Sequence, residues 1–189
     1  MAEHEFKDHP EEIEKLAQEA QKGHTESFAK LYDFYVQPIY RYIFFKVKKE
    51  EAFDLTEAVF LKVWENLKLY KKGAASFSAW IFRIAHNVVI DHYRSHRDSV
   101  VLDYSIPDEK RDINPVYLTE SSLQSETLRE AIARLNRKYQ QILLLKYVND
   151  LDNAEIAMIM KKSEGSLRIL KFRALKALKR VLEEMNVTY

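Results

Sequence analysis

The chain contains no cysteine. That excludes disulfides, thiolate zinc sites and cysteine nucleophiles. It holds three glycines and four prolines in 189 residues. So few turn formers favour helices throughout. No apolar run approaches the roughly 20 residues that a membrane-spanning helix needs, so no membrane insertion is expected. The N-terminus is acidic and lacks the basic-then-apolar pattern of a secretory signal. A soluble, cytoplasmic protein is expected. There is no glycine-rich phosphate loop, no nucleophile–base order and no convincing carboxylate pair. No catalytic residue, cofactor or metal is therefore expected.

What is present is unevenly placed charge. The net charge is only +1, which by itself names no partner. Residues 1–25 carry seven acids against three lysines, whereas residues 161–180 carry eight Lys/Arg against Glu164 alone. An acidic start and a basic end point to a polyanion partner for the C-terminal part. Hydrophobic residues make up 47%, enough to build a core.

Helical periodicity dominates both ends of the chain. In residues 11–22, Ile13, Leu16, Ala17 and Ala20 form one stripe, and Gly23 is a natural stop. The next segment has Phe28, Leu31, Tyr32 and Tyr35 on one face, and Pro38 is expected to kink or break it. A third helix spans roughly 51–69, with Leu55, Val59, Val63 and Leu67 in register. Residues 70–76 form a loop, and Ser76 caps a fourth helix from Phe77 to about Ser95. Residues 97–122 contain Pro107 and Pro115, many Asp and Ser, and no sustained period, as a linker does. From Leu123 helical patterning returns in four amphipathic segments, of which "RKYQQILLLKYV" (137–148) reads as one helix. The fold class expected is all-α: an N-terminal helix bundle and a C-terminal four-helix domain joined by a flexible linker.

The stretch "HNVVIDHYRSHR" (86–97) holds three of the six histidines. His92 and His96 share a helical face, as a zinc pair would. His86 is rotated about 240° from His92, no Glu lies between the pair, and Arg94 and Arg97 would repel a cation. A metal site is therefore disfavoured. On the longer helix, Phe77, Trp80, Ile81, Ile84 and Val88 form a core stripe. The other side carries Phe82, Arg83, His86, Val89, Tyr93 and Arg97. Rings interleaved with cations suit single-stranded nucleic acid. They equally suit apolar residues packed under another helix with solvated arginines beside them.

The segment "DNAEIAMIMKKSEGSLRILKFRALK" (152–176) reads as a short helix, a tight turn and a longer helix. Asp152 and Glu155 have capping-box spacing, and Ser163 caps the longer helix. Leu167, Leu170, Ala174 and Leu178 face inward. Ser166, Ile169, Phe172, Arg173 and Lys176 face out, with Arg168 on the flank. This is the layout of a helix-turn-helix, whose outer face enters a major groove. Arginines and lysines there meet phosphates or guanine edges, and Phe172 or Ile169 suits a thymine methyl. An ordinary helical hairpin with a solvated basic face would look the same.

Together these segments resemble a bacterial RNA polymerase sigma factor of the extracytoplasmic-function type, in the sigma-70 family. "AFDLTEAVFLKVWENL" (52–67) is similar to the family's polymerase-docking pattern "AEDLxQEVFxxxW" at Ala52, Asp54, Leu55, Val59, Phe60 and Trp64, and departs from it at Phe53, Glu57 and Ala58. "FSAWIFRIAHNVVIDHYRSHR" (77–97) is similar to "FRAWLFRIARNLAIDHLRRR", the helix that melts and reads the −10 element. It matches at Phe77, Ala79, Trp80, Ile81, Arg83, Ile84, Ala85, Asn87, Ile90, Asp91 and Arg94. "EIA…SEGSLRILKFRALKAL" resembles the −35-reading pattern "EIA…SxGxVKxLxxRALxxL". Asn136 stands where that domain usually has Pro, and Asp152 where it has a capping Ser; both substitutes suit a helix start.

The resemblance implies region 2 over 1–96, a linker over 97–122 and region 4 over 123–189. It implies polymerase contacts from Asp54, Leu55, Phe60, Leu61 and Trp64. It implies −10 contacts from Arg83, Asn87, Tyr93 and Arg94, and −35 contacts from Ser166, Arg168, Ile169, Phe172, Arg173 and Lys176. The implied partners are core RNA polymerase, promoter DNA (single-stranded −10, duplex −35) and an anti-sigma factor. The linker acids Asp103, Asp108, Glu109 and Asp112 would mimic nucleic acid in a basic channel or simply be solvated. The main rival is a stand-alone helix-turn-helix regulator, which leaves residues 52–67 unexplained.

Overall fold

The computed structural model describes residues 10–98 and 122–186, apart from Lys72 and Ala74; for 96–98 and 122–125 the backbone alone is described. The linker and its four acids lie outside the described residues. Among the described residues every regular element is helical. The first unit holds α1 (Pro10–Gln21), α2 (Thr25–Phe44), α3 (Ala52–Asn66) and α4 (Phe77–Asp98). The second holds α5 (Ser122–Ala133), α6 (Arg137–Leu143), α7 (Asn153–Met160) and α8 (Glu164–Glu184).

Local chemistry accounts for most element ends. The α1 stripe is buried at Ile13, Leu16, Ala17 and Ala20. Gly23, at φ +96°, then turns the chain through a region closed to most side chains. In the second unit, Asn136 Oδ1 accepts from Tyr139 N at 3.0 Å and starts α6 as the family's proline would. Asp152 Oδ1 accepts from Glu155 N at 2.7 Å, and Glu155 Oε2 accepts from Asp152 N at 3.0 Å, closing a capping box on α7. Ser163 Oγ accepts from Ser166 N at the start of α8. Lys161, at φ 52°, supplies the left-handed turn between α7 and α8.

Two expectations are corrected. Pro38 does not break its helix: α2 runs through it for 20 residues. An internal proline costs a helix about 3 kcal/mol. Tyr35, Ile39, Tyr42 and Ile43, all within 2% of full burial, hold the segment helical around it. Residues 137–148 are not one uniform α-helix either. After Leu143 the backbone widens into a π-turn, Leu144–Val148, which buries both Leu144 and Leu145. Helix α4 also reaches Asp98, a little beyond the expected end.

The loop after α3 is held from α1. Gln21 Nε2 donates to the carbonyls of Leu67 (2.9 Å) and Tyr70 (2.7 Å). Glu14 Oε1 accepts from Tyr70 OH at 2.5 Å and from Phe77 N at 3.2 Å, placing a carboxylate at the positive end of α4. Ser76 Oγ accepts from Ala79 N at 3.0 Å, so Ser76 caps α4 as expected. One hydrophobic cluster runs through both units, with α4 packed on α7 and α2 on the π-turn.

Candidate nucleic-acid and partner interfaces

The outer face of α3 is apolar and open. Leu61 is 60% exposed and Trp64 44%. Asp54 is exposed beside a half-buried Leu55. Trp64 meets Phe28 edge-on at 4.7 Å, so its indole is braced from behind. Phe60 is different: it is 6% exposed, with its ring 4.6 Å from Tyr32. Its place in the family pattern is a core position. It positions Leu61 and Trp64 and does not itself present a surface. Sequence reasoning missed Leu69, 71% exposed just before the loop. Its signal was an apolar residue that continues no stripe.

Arg83, Asn87 and Arg94 lie exposed on one side of α4. Arg83 and Asn87 line a groove of about 340 Å³ against α3, with Trp80, Leu69, Lys62 and Asp91. Asp91 carboxylate oxygens sit 3.6 Å from Lys62 Nζ and 3.9 Å from Arg94 Nη1, which fixes the basic rim. Tyr93 is not brought to this groove. At about 100° per residue it falls in line with Phe82, His86 and Val89. Phe82 and Val89 are buried, so for them the packing alternative holds. The Tyr93 hydroxyl donates to the Lys46 carbonyl, and Arg137 of the second unit stacks 5.1 Å from its ring centroid. The tyrosine thus faces the second unit. His92 Nε2 sits 3.3 Å from Glu51 Oε2, away from that row.

His86 lies at the seam between the units. Its Nδ1 is 3.2 Å from Gln141 Nε2 and 3.3 Å from Tyr42 OH. An amide nitrogen only donates, so Nδ1 accepts and the ring is neutral. Burial first, and Lys46 second, lower its pKa from 6.5 to about 4. Lys46 sits over the Tyr42 ring at 4.9 Å, and burial, with Arg137, lowers its pKa to about 8. Because the His86 pKa is depressed in the fold, the unfolded chain binds the proton first as pH falls. His86 therefore costs no stability above about pH 6.5 and an increasing amount from there down to about pH 4. Neither Lys46 nor Tyr42 changes charge in that window. The urea midpoint is expected to fall between pH 7 and pH 5, and His86→Gln to flatten part of that fall.

On α8, Ser166, Arg168, Ile169, Phe172, Arg173 and Lys176 are all exposed on the outer face, with Ile169 at 56% and Phe172 at 69%. Leu167 and Ala174 are buried opposite them. A shallow recess joins Ser166, Ile169 and Arg173 to Arg137, Lys138 and Lys162. Those last three were not anticipated, although "NRK" opens α6 and "KKS" forms the turn between α7 and α8. The arrangement offers a helix face with cations at its rim and apolar groups at its centre, suited to a duplex groove.

Comparison with known proteins agrees with this geometry. The family description "Sigma-70 region 2" matches residues 31–99, and "Sigma-70, region 4" matches residues 125–178. The chain is 33% identical over 172 residues to the ECF RNA polymerase sigma factor BldN of Streptomyces coelicolor, covering 89% of this chain and 65% of that relative. It is 30% identical over 164 residues to the RNA polymerase sigma factor YlaC of Bacillus subtilis, covering 83% and 92% of the two chains. The structure of CnrH in complex with the cytosolic domain of CnrY shares the fold, with TM-score 0.70 at 19% identity, covering 92% of this chain and 98% of that one. With the two region matches in the expected order, and each on its own helical unit, the chain belongs to the sigma-70 family of RNA polymerase sigma factors, as one of the extracytoplasmic-function type.

Proposed function

We propose a division of labour for this sigma factor, which directs promoter-specific transcription initiation. Residues 1–96 dock on core RNA polymerase and open the −10 element, 97–122 link, and 123–189 read the −35 duplex. The observation that carries the reading is the separation of three open surfaces. The apolar face of α3 at Leu61 and Trp64, with Asp54 at its edge, has the make-up of a protein-docking anchor. The groove of Arg83 and Asn87 beside Trp80 has the make-up of a single-strand site. The outer face of α8 has that of a duplex reader.

In this scheme Asn87 hydrogen-bonds an unstacked base of the non-template strand. Arg83 and Arg94 hold its phosphates. Arg168, Arg173 and Lys176 meet the −35 backbone or guanine edges. The chain supplies no chemistry; phosphodiester formation belongs to the polymerase, in the cytoplasm. An anti-sigma factor completes the partner set by family resemblance. The test is size-exclusion chromatography with bacterial core polymerase, followed by run-off transcription. A stoichiometric complex that starts at a defined promoter is expected. Duplex binding with no polymerase complex would instead favour a stand-alone helix-turn-helix regulator.

A further inference from the structure

A cavity of about 720 Å³ lies beside the start of α4, and none of the surfaces assigned above uses it. Helices α1 and α2 and the start of α4 wall one side, and the π-turn and the segment after it wall the other. Its size falls in the range of small-molecule sites. Tyr35, Phe77 and Phe82 give it apolar, aromatic walls, and each is at most 2% exposed. Tyr147 also lines it, with 53% of its surface open. Among the described residues, the acids that line it are Glu14, Asp150, Asp152 and Glu155, and the one cation is Arg41. Lys146 offsets Asp150 at 3.5 Å. The excess charge at the cavity is therefore negative, in a chain whose net charge is +1.

Two of the lining side chains carry an oxygen with no hydrogen-bond partner. Glu14 Oε1 accepts from Tyr70 OH and Phe77 N, but its Oε2 is buried and accepts nothing. Asn149 Nδ2 donates to the Leu144 carbonyl at 3.0 Å, which fixes the other end of the amide as oxygen. That Oδ1 is also buried and unpartnered. Buried acceptors left without donors are costly, and both of these call for donors from a ligand. Two carboxylates also converge on the start of α4: Glu14 on Phe77 N at 3.2 Å, and Glu155 on Ser76 Oγ at 2.6 Å. A protonated amine brings donors and positive charge together, and aromatic walls favour it further. A metal ion is not suited, since among the described residues no three His or carboxylate side chains are placed to hold one.

We propose that this cavity is a binding site for a small organic ammonium, a protonated amine on an apolar or aromatic body. The body packs among the rings, and the ammonium faces the carboxylates of Glu14 and Glu155. The two orphan oxygens are buried, so a donor reaches them as the wall closes on the ligand. Both units contribute to the wall, so an occupied site raises the melting temperature of the chain as a whole. A lysine side chain of another protein carries the same ammonium, but walls of buried rings favour a small molecule that enters whole. The site needs neither polymerase nor DNA, and the inference stands apart from the roles given to α3, α4 and α8.

Tryptamine is the probe, because it joins an indole body to a primary ammonium. Isothermal titration into the full chain at physiological salt is expected to give saturable binding at one site. Tryptophol, with a hydroxyl in place of the ammonium, is expected to bind about tenfold more weakly or worse, for want of the charge-assisted contact. Spermidine, which carries charge without an apolar body, is expected to bind more weakly too. Glu14→Gln with Glu155→Gln keeps both side-chain shapes, and Gln serves the α7 capping box as Glu does. This double variant is expected to lose about tenfold or more in tryptamine affinity, with helical circular dichroism retained. Asp150→Asn gives a second reading should the double variant unfold: the position is exposed, and Asn tolerates its φ of 46°. A smaller loss is expected there. Equal affinity for tryptamine and tryptophol, or for tryptamine and spermidine, overturns the ammonium site in favour of a plain apolar pocket or of surface screening. Unchanged affinity in folded variants places the binding elsewhere and overturns the assignment. No tryptamine binding overturns the small-molecule reading, and binding of a trilysine peptide in its place gives the cavity to a basic protein segment.

Discussion

Alanine at both Leu61 and Trp64 is expected to lower affinity for core RNA polymerase by roughly 1,000-fold, the loss of two interface anchors at about 2 kcal/mol each. Both side chains stand out from α3, and neither is needed to close the core. They differ in what else they do. Leu61, at 60% exposure, has no ring partner behind it, so Leu61→Ala should leave the melting temperature unchanged. Trp64 pairs edge-on with Phe28, an arrangement worth about 0.5–1.5 kcal/mol beyond burial, so Trp64→Ala should lower the melting temperature as well as the affinity. Asp54→Ala should do less, since a rim charge acts mainly on association rate and salt dependence. Anisotropy titration with labelled polymerase, alongside thermal melts, separates the two quantities. Full affinity in a folded double variant would remove α3 as the docking face. Phe60→Ala would not be informative, because that buried ring would leave a cavity at a cost of about 3–5 kcal/mol.

The contrast between Phe60 and Leu61 shows what the sequence makes legible. Periodicity reports which residues share a helical face, and the stripes of α1, α3 and α8 were readable for that reason. Side-chain chemistry reports where helices start, so Asn136, Asp152 and Ser163 were readable as caps even where they depart from the family pattern. Neither signal reports what covers a face. Phe82, His86 and Tyr93 read as rings beside cations, a pattern that fits bases and a neighbouring helix alike. The neighbour lies more than 40 residues away in sequence: Arg137 and Gln141 close over that row only once the second unit has docked. Pro38 failed for the same reason. A local rule breaks the helix, and tertiary burial of Tyr35, Ile39, Tyr42 and Ile43 overrides it. The basic recess of Lys138 and Lys162 next to Arg173 likewise exists only after α6, the α7–α8 turn and α8 have come together.

Arg173→Ala is expected to weaken recognition of the −35 element by about 5- to 150-fold, the range for losing a cation on a guanine edge at roughly 1–3 kcal/mol. Its neighbour Phe172, 69% exposed on the same face, tests a different term. The two separate on salt and on sequence. If Arg173 meets a phosphate, its loss weakens all duplexes about equally and lowers the salt slope by about one ion. If it meets a guanine, the loss is concentrated on one base pair. Phe172→Ala should leave the salt slope untouched and relax preference at a thymine step, because an apolar contact to a methyl group releases no counterion. Both are measured on the assembled holoenzyme, with promoter duplexes altered one −35 base pair at a time and salt varied at each. Polymerase affinity should stay at the wild-type value throughout, since α8 and α3 belong to different units. A drop in polymerase affinity for either variant would mean that the outer face of α8 serves the polymerase as well as the DNA.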